Sequence, residues 1–178
     1  MDEPTFAVVG YPQSHNLGDE VQSIAAGRLL PRVDVRVPRE GMDTFQSAAD
    51  RIHLLCNGFF MYAPEHWPPG DNIDPLFVSL HVSTETGAAK YLLRPDLKSY
   101  YQRYAPVGCR DRQTAAGFKK LGVDAYFSGC VTLTLQNPYG SEERNDEIVL
   151  ADPFYKFLNE DYRDYLAGEM IPPEHRHR

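Results

Sequence analysis

Hydrophobic residues fall along this chain in two alternating rhythms, a short strand-like run followed by a longer helical one. Phe6-Ala7-Val8-Val9 is apolar throughout, as a buried strand requires, and Val21, Ile24, Ala25 and Leu29 recur at the spacing of one helix face over residues 19–30. Pro31 stops that helix. Val33-Asp34-Val35-Arg36-Val37 alternates with period two, which predicts a strand with one apolar face, nearer the edge of a sheet. Residues 42–49 suit a short helix or turn. Ile52-His53-Leu54-Leu55-Cys56 reads as a third strand ending in Asn57-Gly58, and Leu76-Phe77-Val78-Ser79-Leu80 as a fourth ending at His81. Between them, Pro64, Pro68, Pro69, Gly70 and Pro75 predict a long loop over residues 62–75 with no helix inside.

The second half continues the pattern. Residues 88–104 are expected to be helical in part, with a break at Pro95, and residues 106–109 to form a short strand. A helix is predicted over 111–121, with Asp111 and Thr114 suited to its start and Gly122 to its end. Residues 125–127 and 131–135 read as further extended pieces separated by Ser128-Gly129-Cys130. Strands alternating with helices of this length make βαβ units. The predicted class is therefore α/β, a Rossmann-like, mainly parallel sheet with helices on both faces. Residues 137–146, polar and carrying Pro138 and Gly140, form the best linker candidate. The organisation expected is a domain over 1–136, that linker, and a strand and amphipathic helix within 147–178 that begin a second domain or pack back on the first.

Composition narrows the partners. With 178 residues, the chain fits one ordinary domain and a little more. A formal charge of −7, with Arg176-His177-Arg178 the only basic run, argues against a nucleic-acid-binding face. The 11 Tyr and 9 Phe allow either a dense core or a sugar-stacking surface. Cys56, Cys109 and Cys130 have no metal-binding or paired spacing and are expected to be reduced and mostly buried. The scattered histidines give no metal site. No run approaches the ~20 apolar residues of a membrane span. Asp2 and Glu3 begin no secretory leader, so a cytoplasmic location is the expectation.

Candidate chemistry gathers where strands meet helices. In a parallel sheet the carboxyl ends of all strands share one edge, so loops near Gly10, Asn57, His81 and Arg110 can converge there. Asn16, Gly18, Asp19 and Glu20 open the first helix. Their acids can take a proton from a hydroxyl nucleophile, or can simply complement the helix dipole while Asn16 caps the turn. His15 is either a solvated side chain or a base. Asn57-Gly58 is either a binding loop or an ordinary tight turn. Trp67 can stack on a sugar or pin its loop. Arg110 can meet an anion or brace Asp111.

Taken in order, Gly10-Tyr11 through Asn16-Leu17-Gly18-Asp19-Glu20, Cys56-Asn57-Gly58, Gly108-Cys109-Arg110-Asp111 with Thr114, and Leu121-Gly122-Val123-Asp124-Ala125-Tyr126-Phe127-Ser128-Gly129-Cys130-Val131-Thr132-Leu133-Thr134-Leu135 resemble the polysaccharide pyruvyl transferase family. The resemblance spans nearly all of residues 5–152. It implies the N-terminal Rossmann-like half of a two-domain GT-B-type enzyme. Such enzymes move pyruvyl from phosphoenolpyruvate onto sugar hydroxyls of cell-surface polysaccharides or their lipid-linked precursors. It further implies Asp19 and Glu20 as catalytic residues and His15, Asn16, Gly18, Asn57, Gly58 and Arg110 as acceptor-binding residues. Arg110 and Asp111 match the family's Arg-Asp block, whose role is taken as mostly structural. Phosphoenolpyruvate is implied as donor substrate, with no cofactor.

The family's donor-gripping Arg and His lie in a second domain, in a Ser-Arg-Leu-His-like stretch that Glu174-His175-Arg176-His177-Arg178 does not match. The expectation is a transferase domain incomplete without a second half, supplied by another domain or by a second copy. Two alternatives stand beside it: the acceptor-side domain of a GT-B glycosyltransferase using a nucleotide sugar, and a non-catalytic saccharide-binding or interaction domain.

Overall fold

The computed structural model describes residues 3–12, 14–59, 63–83, 87–137 and 140. The chain divides after Gln136, and the fold described here is that of the unit 1–136. Six strands form one parallel sheet: β1 (Thr5–Gly10), β2 (Val35–Pro38), β3 (Ile52–Phe59), β4 (Ile73–His81), β5 (Val107–Cys109) and β6 (Ala125–Phe127). Their order across the sheet is β2-β1-β3-β4-β5-β6. β2 and β3 flank β1 on opposite sides, so the strand order reverses between β1 and β3, the switch point at which open α/β sheets leave a crevice beyond the strand ends. The helices are α1 (Leu17–Gly27), α2 (Ala89–Leu92), α3 (Lys98–Arg103) and α4 (Arg112–Lys120). The α/β, Rossmann-like class is as expected.

Side-chain alternation along the strands divides the interior into two layers. Ala7, Val9, Leu54, Cys56 and Phe77 point to one face, where they meet Leu92, Tyr101 and Phe118 from α2, α3 and α4. Val8 and Leu55 point to the other, against Ala26 of α1. Helices thus lie on both faces. The second layer is thinner, and Leu76 of β4 stays 58% exposed. Among the described residues no helix is long and apolar enough to cross a membrane.

Two sequence expectations fail for local reasons. The proline-rich stretch is not all loop, since Pro64–His66 forms a 3-10 turn and β4 begins at Ile73, with Pro75 inside it opposite Leu54. A proline is tolerated there because β5 pairs with β4 only from Leu80, so the ladder on that side of Pro75 has not begun. Val131–Thr134 is a 3-10 helix rather than extended chain, closed by Leu133 N–H to Cys130 O and Leu135 N–H to Thr132 O. β6 ends the sheet, so the alternating residues after it find no strand to pair with and fold back against α1 instead. The expected linker at 137–146, apart from Asn137 and Gly140, and the strand and helix expected within 147–178 lie outside the described residues.

Trp67 pins its loop. It is buried, its Nε1–H donates to the Tyr101 hydroxyl at 2.6 Å, and that hydroxyl donates to Leu92 O at 2.7 Å. The three cysteines are free thiols, with Cys56 and Cys109 buried. Burial pushes the Cys109 thiol up to about 12 and that of Cys56 higher still, so neither is a nucleophile near neutral pH.

Candidate functional site

The loop leaving β1 is built by short polar side chains that fold it onto the start of α1. Ser14 N–H donates to Tyr11 O at 3.0 Å, and the Ser14 hydroxyl donates to Asp19 Oδ2 at 2.6 Å. Asn16 is the N-cap of α1, its Oδ1 accepting from Gly18 N–H at 3.0 Å. A Cβ at Gly18 would sit 3.1 Å from that same Oδ1, which favours glycine at this position. From further along the helix, the Ser23 hydroxyl donates to Val9 O and fixes α1 to the end of β1.

Beneath the loop lies a buried charge cluster. Arg39, just after β2, places its guanidinium 4.9 Å from the centre of the Tyr11 ring and 3.5 Å from Asp19 Oδ2, with both side chains of the ion pair at most 5% exposed. Arg39 also pairs with Glu40 and donates to Phe59 O at 3.0 Å. The other oxygen of Glu40 accepts Ala63 N–H at 2.9 Å, tying the segment after β3 to the end of β2. Burial, with the nearby Asp19 charge second, raises the Tyr11 phenol well above its ordinary range, so it stays a neutral hydroxyl. That hydroxyl lies 3.4 Å from Asn57 O. The adjoining Gly58 has φ +111°, and a side chain there would strike the Tyr11 hydroxyl.

Above this cluster a cavity of about 720 Å³ opens at the carboxyl ends of β1 and β2, lined among others by Tyr11, Ser14, His15, Asn16, Arg39 and Glu40. Its volume is that of a small-molecule site. Of the residues singled out from sequence, His15 and Asn16 line it. Gly18 and Asp19 support it from α1. Glu20 is ion-paired with Arg36 of β2 at 2.8 Å, half exposed and not among the lining residues. Arg110 borders a separate depression with Gly18 and Gln22, its Nη1 3.5 Å from Gln22 Oε1. Asn57 is fully buried, and neither polar atom of its side-chain amide has a hydrogen-bond partner among the described residues.

A second polar group occupies the same edge, one strand beyond. His81 ends β4, and its Nδ1 lies 2.6 Å from Asp111 Oδ2. Asp111 is the N-cap of α4, taking Thr114 N–H at 2.7 Å on Oδ1 and the Thr114 hydroxyl at 2.8 Å on Oδ2. Burial alone would raise this carboxyl, but the His81 and Thr114 hydrogen bonds outweigh it and hold the group below the usual carboxylate range. The ring of Phe59 stacks on the imidazole at 4.9 Å between centres.

What turns His81 toward Phe59 is a bulge. β3 and β4 pair in register at Cys56 with Phe77, then at Gly58 with Leu80, so β4 carries one extra residue. Ser79 has φ +62°, unusual for a residue with a side chain. It is held there by Ser79 N–H to Ser128 Oγ at 3.1 Å and by Val131 N–H to Ser79 Oγ at 2.9 Å. Without the extra residue His81 would share the inner face of Phe77. With it, Leu80 takes the inner place and His81 lies partly buried beside Phe59.

Arg39, Glu40 and the His81–Asp111 pair did not stand out in the sequence as partners. Arg39 follows β2, and only the order β2-β1-β3 shows that the loop after β2 borders the first site. Among the described residues no group of three or more His, Cys, Asp and Glu side chains is placed to hold a metal ion. No family model, curated protein or solved structure matches this chain.

Proposed function

We propose that this domain is the acceptor-side half of a pyruvyl transferase-type enzyme and that the cavity beside β1 receives a hydroxyl-rich saccharide. The observation that carries the reading is the cavity's charge balance. Arg39, its cationic lining residue, is already engaged by Asp19 and Glu40, and Arg36 nearby is engaged by Glu20. The remaining lining offers hydrogen-bonding groups on His15 and Asn16, with the Ser14 hydroxyl turned to Asp19. Such a surface suits sugar hydroxyls better than the phosphate and carboxylate of phosphoenolpyruvate. The reaction class comes from the sequence resemblance. In this reading, donor-gripping cations come from a second domain or a second copy. The acceptor belongs to a cell-surface polysaccharide or its lipid-linked precursor and is met in the cytoplasm.

His15 and Asn16 contact the acceptor directly, while Gly18 and Asp19 hold the loop that carries them. Asn57 and Gly58 support Tyr11 from below. Calorimetric titration of the full chain with hexoses, N-acetylhexosamines and their oligosaccharides tests the reading. Saturable binding that weakens in His15→Ala is expected. Binding of nucleotide sugars in place of free saccharides would move the reaction to glycosyl transfer, and binding of neither class would overturn the proposal.

A further inference from the structure

We infer that His81, oriented by Asp111, is the general base that takes the proton from the acceptor hydroxyl, a role that rests on the saccharide reading above. The two acids at the start of α1 are poorly placed for it, because Asp19 is buried against Ser14 and Arg39 and Glu20 is held by Arg36. His81 has the opposite situation. Its Nδ1 is fixed 2.6 Å from an Asp111 carboxylate that Thr114 anchors through two further hydrogen bonds. Its ring is held flat by Phe59. An ionised Asp111 accepts only from an Nδ1–H, so the neutral imidazole keeps its Nε2 lone pair free, and no partner engages that nitrogen among the described residues.

The position connects with the cavity. The backbone carbonyl of Phe59 accepts from Arg39, which lines the cavity, while the Phe59 ring carries His81. His81 stands on the same sheet edge as the cavity, with β3 between β1 and β4, so an acceptor that reaches Nε2 extends along that edge across the end of β3. The bulge at Ser79 gives an independent sign of function. A residue held at positive φ inside a strand is a cost the fold sustains, and here its result is the placement of His81.

The chemistry closes without an oxidant or reductant. An enol phosphate supplies the electrophilic carbon. The acceptor O–H adds across its double bond: the hydroxyl oxygen forms the new C–O bond, the π electron pair takes a proton from water at the methylene carbon, and His81 Nε2 takes the proton released from oxygen and returns it to water, while the phosphate stays on the tetrahedral adduct and leaves as inorganic phosphate when a second acceptor hydroxyl replaces it to close the ketal. One O–H bond and one C=C π bond break while one C–O and one C–H bond form. Asp111 stabilises the imidazolium during the transfer.

The test has two readouts on the full chain. Long-range 15N NMR of the imidazoles should find His81 as the Nδ1–H tautomer, and an Nε2–H tautomer would overturn the role. In an assay with phosphoenolpyruvate and a bound saccharide, supplemented with the donor-side half, His81→Gln should lower turnover by about 100-fold or more with saccharide affinity little changed. Turnover equal to that of the unsubstituted protein would reject His81 while leaving the saccharide reading intact. If the chain binds no saccharide, that reading fails separately. Diethyl pyrocarbonate then decides for His81: faster carbethoxylation than in Asp111→Asn, which retains a capping oxygen, supports a primed base, and equal rates overturn it.

Discussion

Asp19 and Asp111 both stand at the start of a helix that follows a parallel strand, Asp19 in the first turn of α1 and Asp111 as the N-cap of α4, yet the fold surrounds them differently. Asp19 is buried, and one of its oxygens is shared by the Ser14 hydroxyl and the Arg39 guanidinium. Its charge is spent on shaping the loop and neutralising an arginine. Asp111 is about a third exposed and passes its charge to an imidazole whose second nitrogen is open. An acid at a helix start is therefore a brace or part of a reactive pair according to what its neighbours leave unsatisfied, and helix position alone does not decide which.

The largest expected effect breaks the brace. Asp19→Ala removes one of the carboxylates paired with the buried Arg39 guanidinium and should cost about 3 kcal/mol of unfolding free energy, read from chemical denaturation. Asp19→Asn, which can still accept from Ser14, should cost less. A loss as small as that of a surface substitution would mean that Asp19 is not the counter-ion of Arg39.

The next effect falls on the device that places His81. Ser79→Ala leaves the buried Val131 N–H without its acceptor and should cost about 1–2 kcal/mol. Ser79→Gly loses the same hydroxyl but suits positive φ, so its cost should be the smaller of the two. The reverse order would show that the bulge is not strained at Ser79.

The smallest effect is the pH dependence of the reactive pair. The folded Asp111 carboxyl titrates below its unfolded counterpart, which titrates at about 3.9. The stability it contributes is complete above the unfolded value and is lost as pH falls through the lower folded value. Asp111→Asn, which keeps an N-cap oxygen, should flatten that part of the acid unfolding profile, as measured by denaturation between pH 5 and pH 2. An unchanged profile would place the responsible carboxyl elsewhere.

Some of this was legible in the sequence. The apolar runs, the Asn16 and Asp111 caps and the Gly122 stop are local signals, and each stands where its residue type suggests. What could not be read is what depends on pairing across the sheet. Arg39 meets Asp19 only because β2 lies beside β1. His81 meets Asp111 across 30 residues of sequence. The bulge at Ser79 has no compositional mark, since a glycine would have announced positive φ and a serine does not. Pro75, for its part, hid the first half of β4 because the pairing that excuses it is also non-local.

On the saccharide reading, the edge beside β1 should take a neutral polyol and leave the anionic donor to another surface. Backbone amide shift mapping of the full chain, titrated in parallel with a saccharide panel and with phosphoenolpyruvate, tests this most directly. Saturable shifts are expected at Gly10, Ser14, His15 and Asn16 with a saccharide and none there with phosphoenolpyruvate. Saturable shifts at those amides with phosphoenolpyruvate, or none with any saccharide, would contradict it.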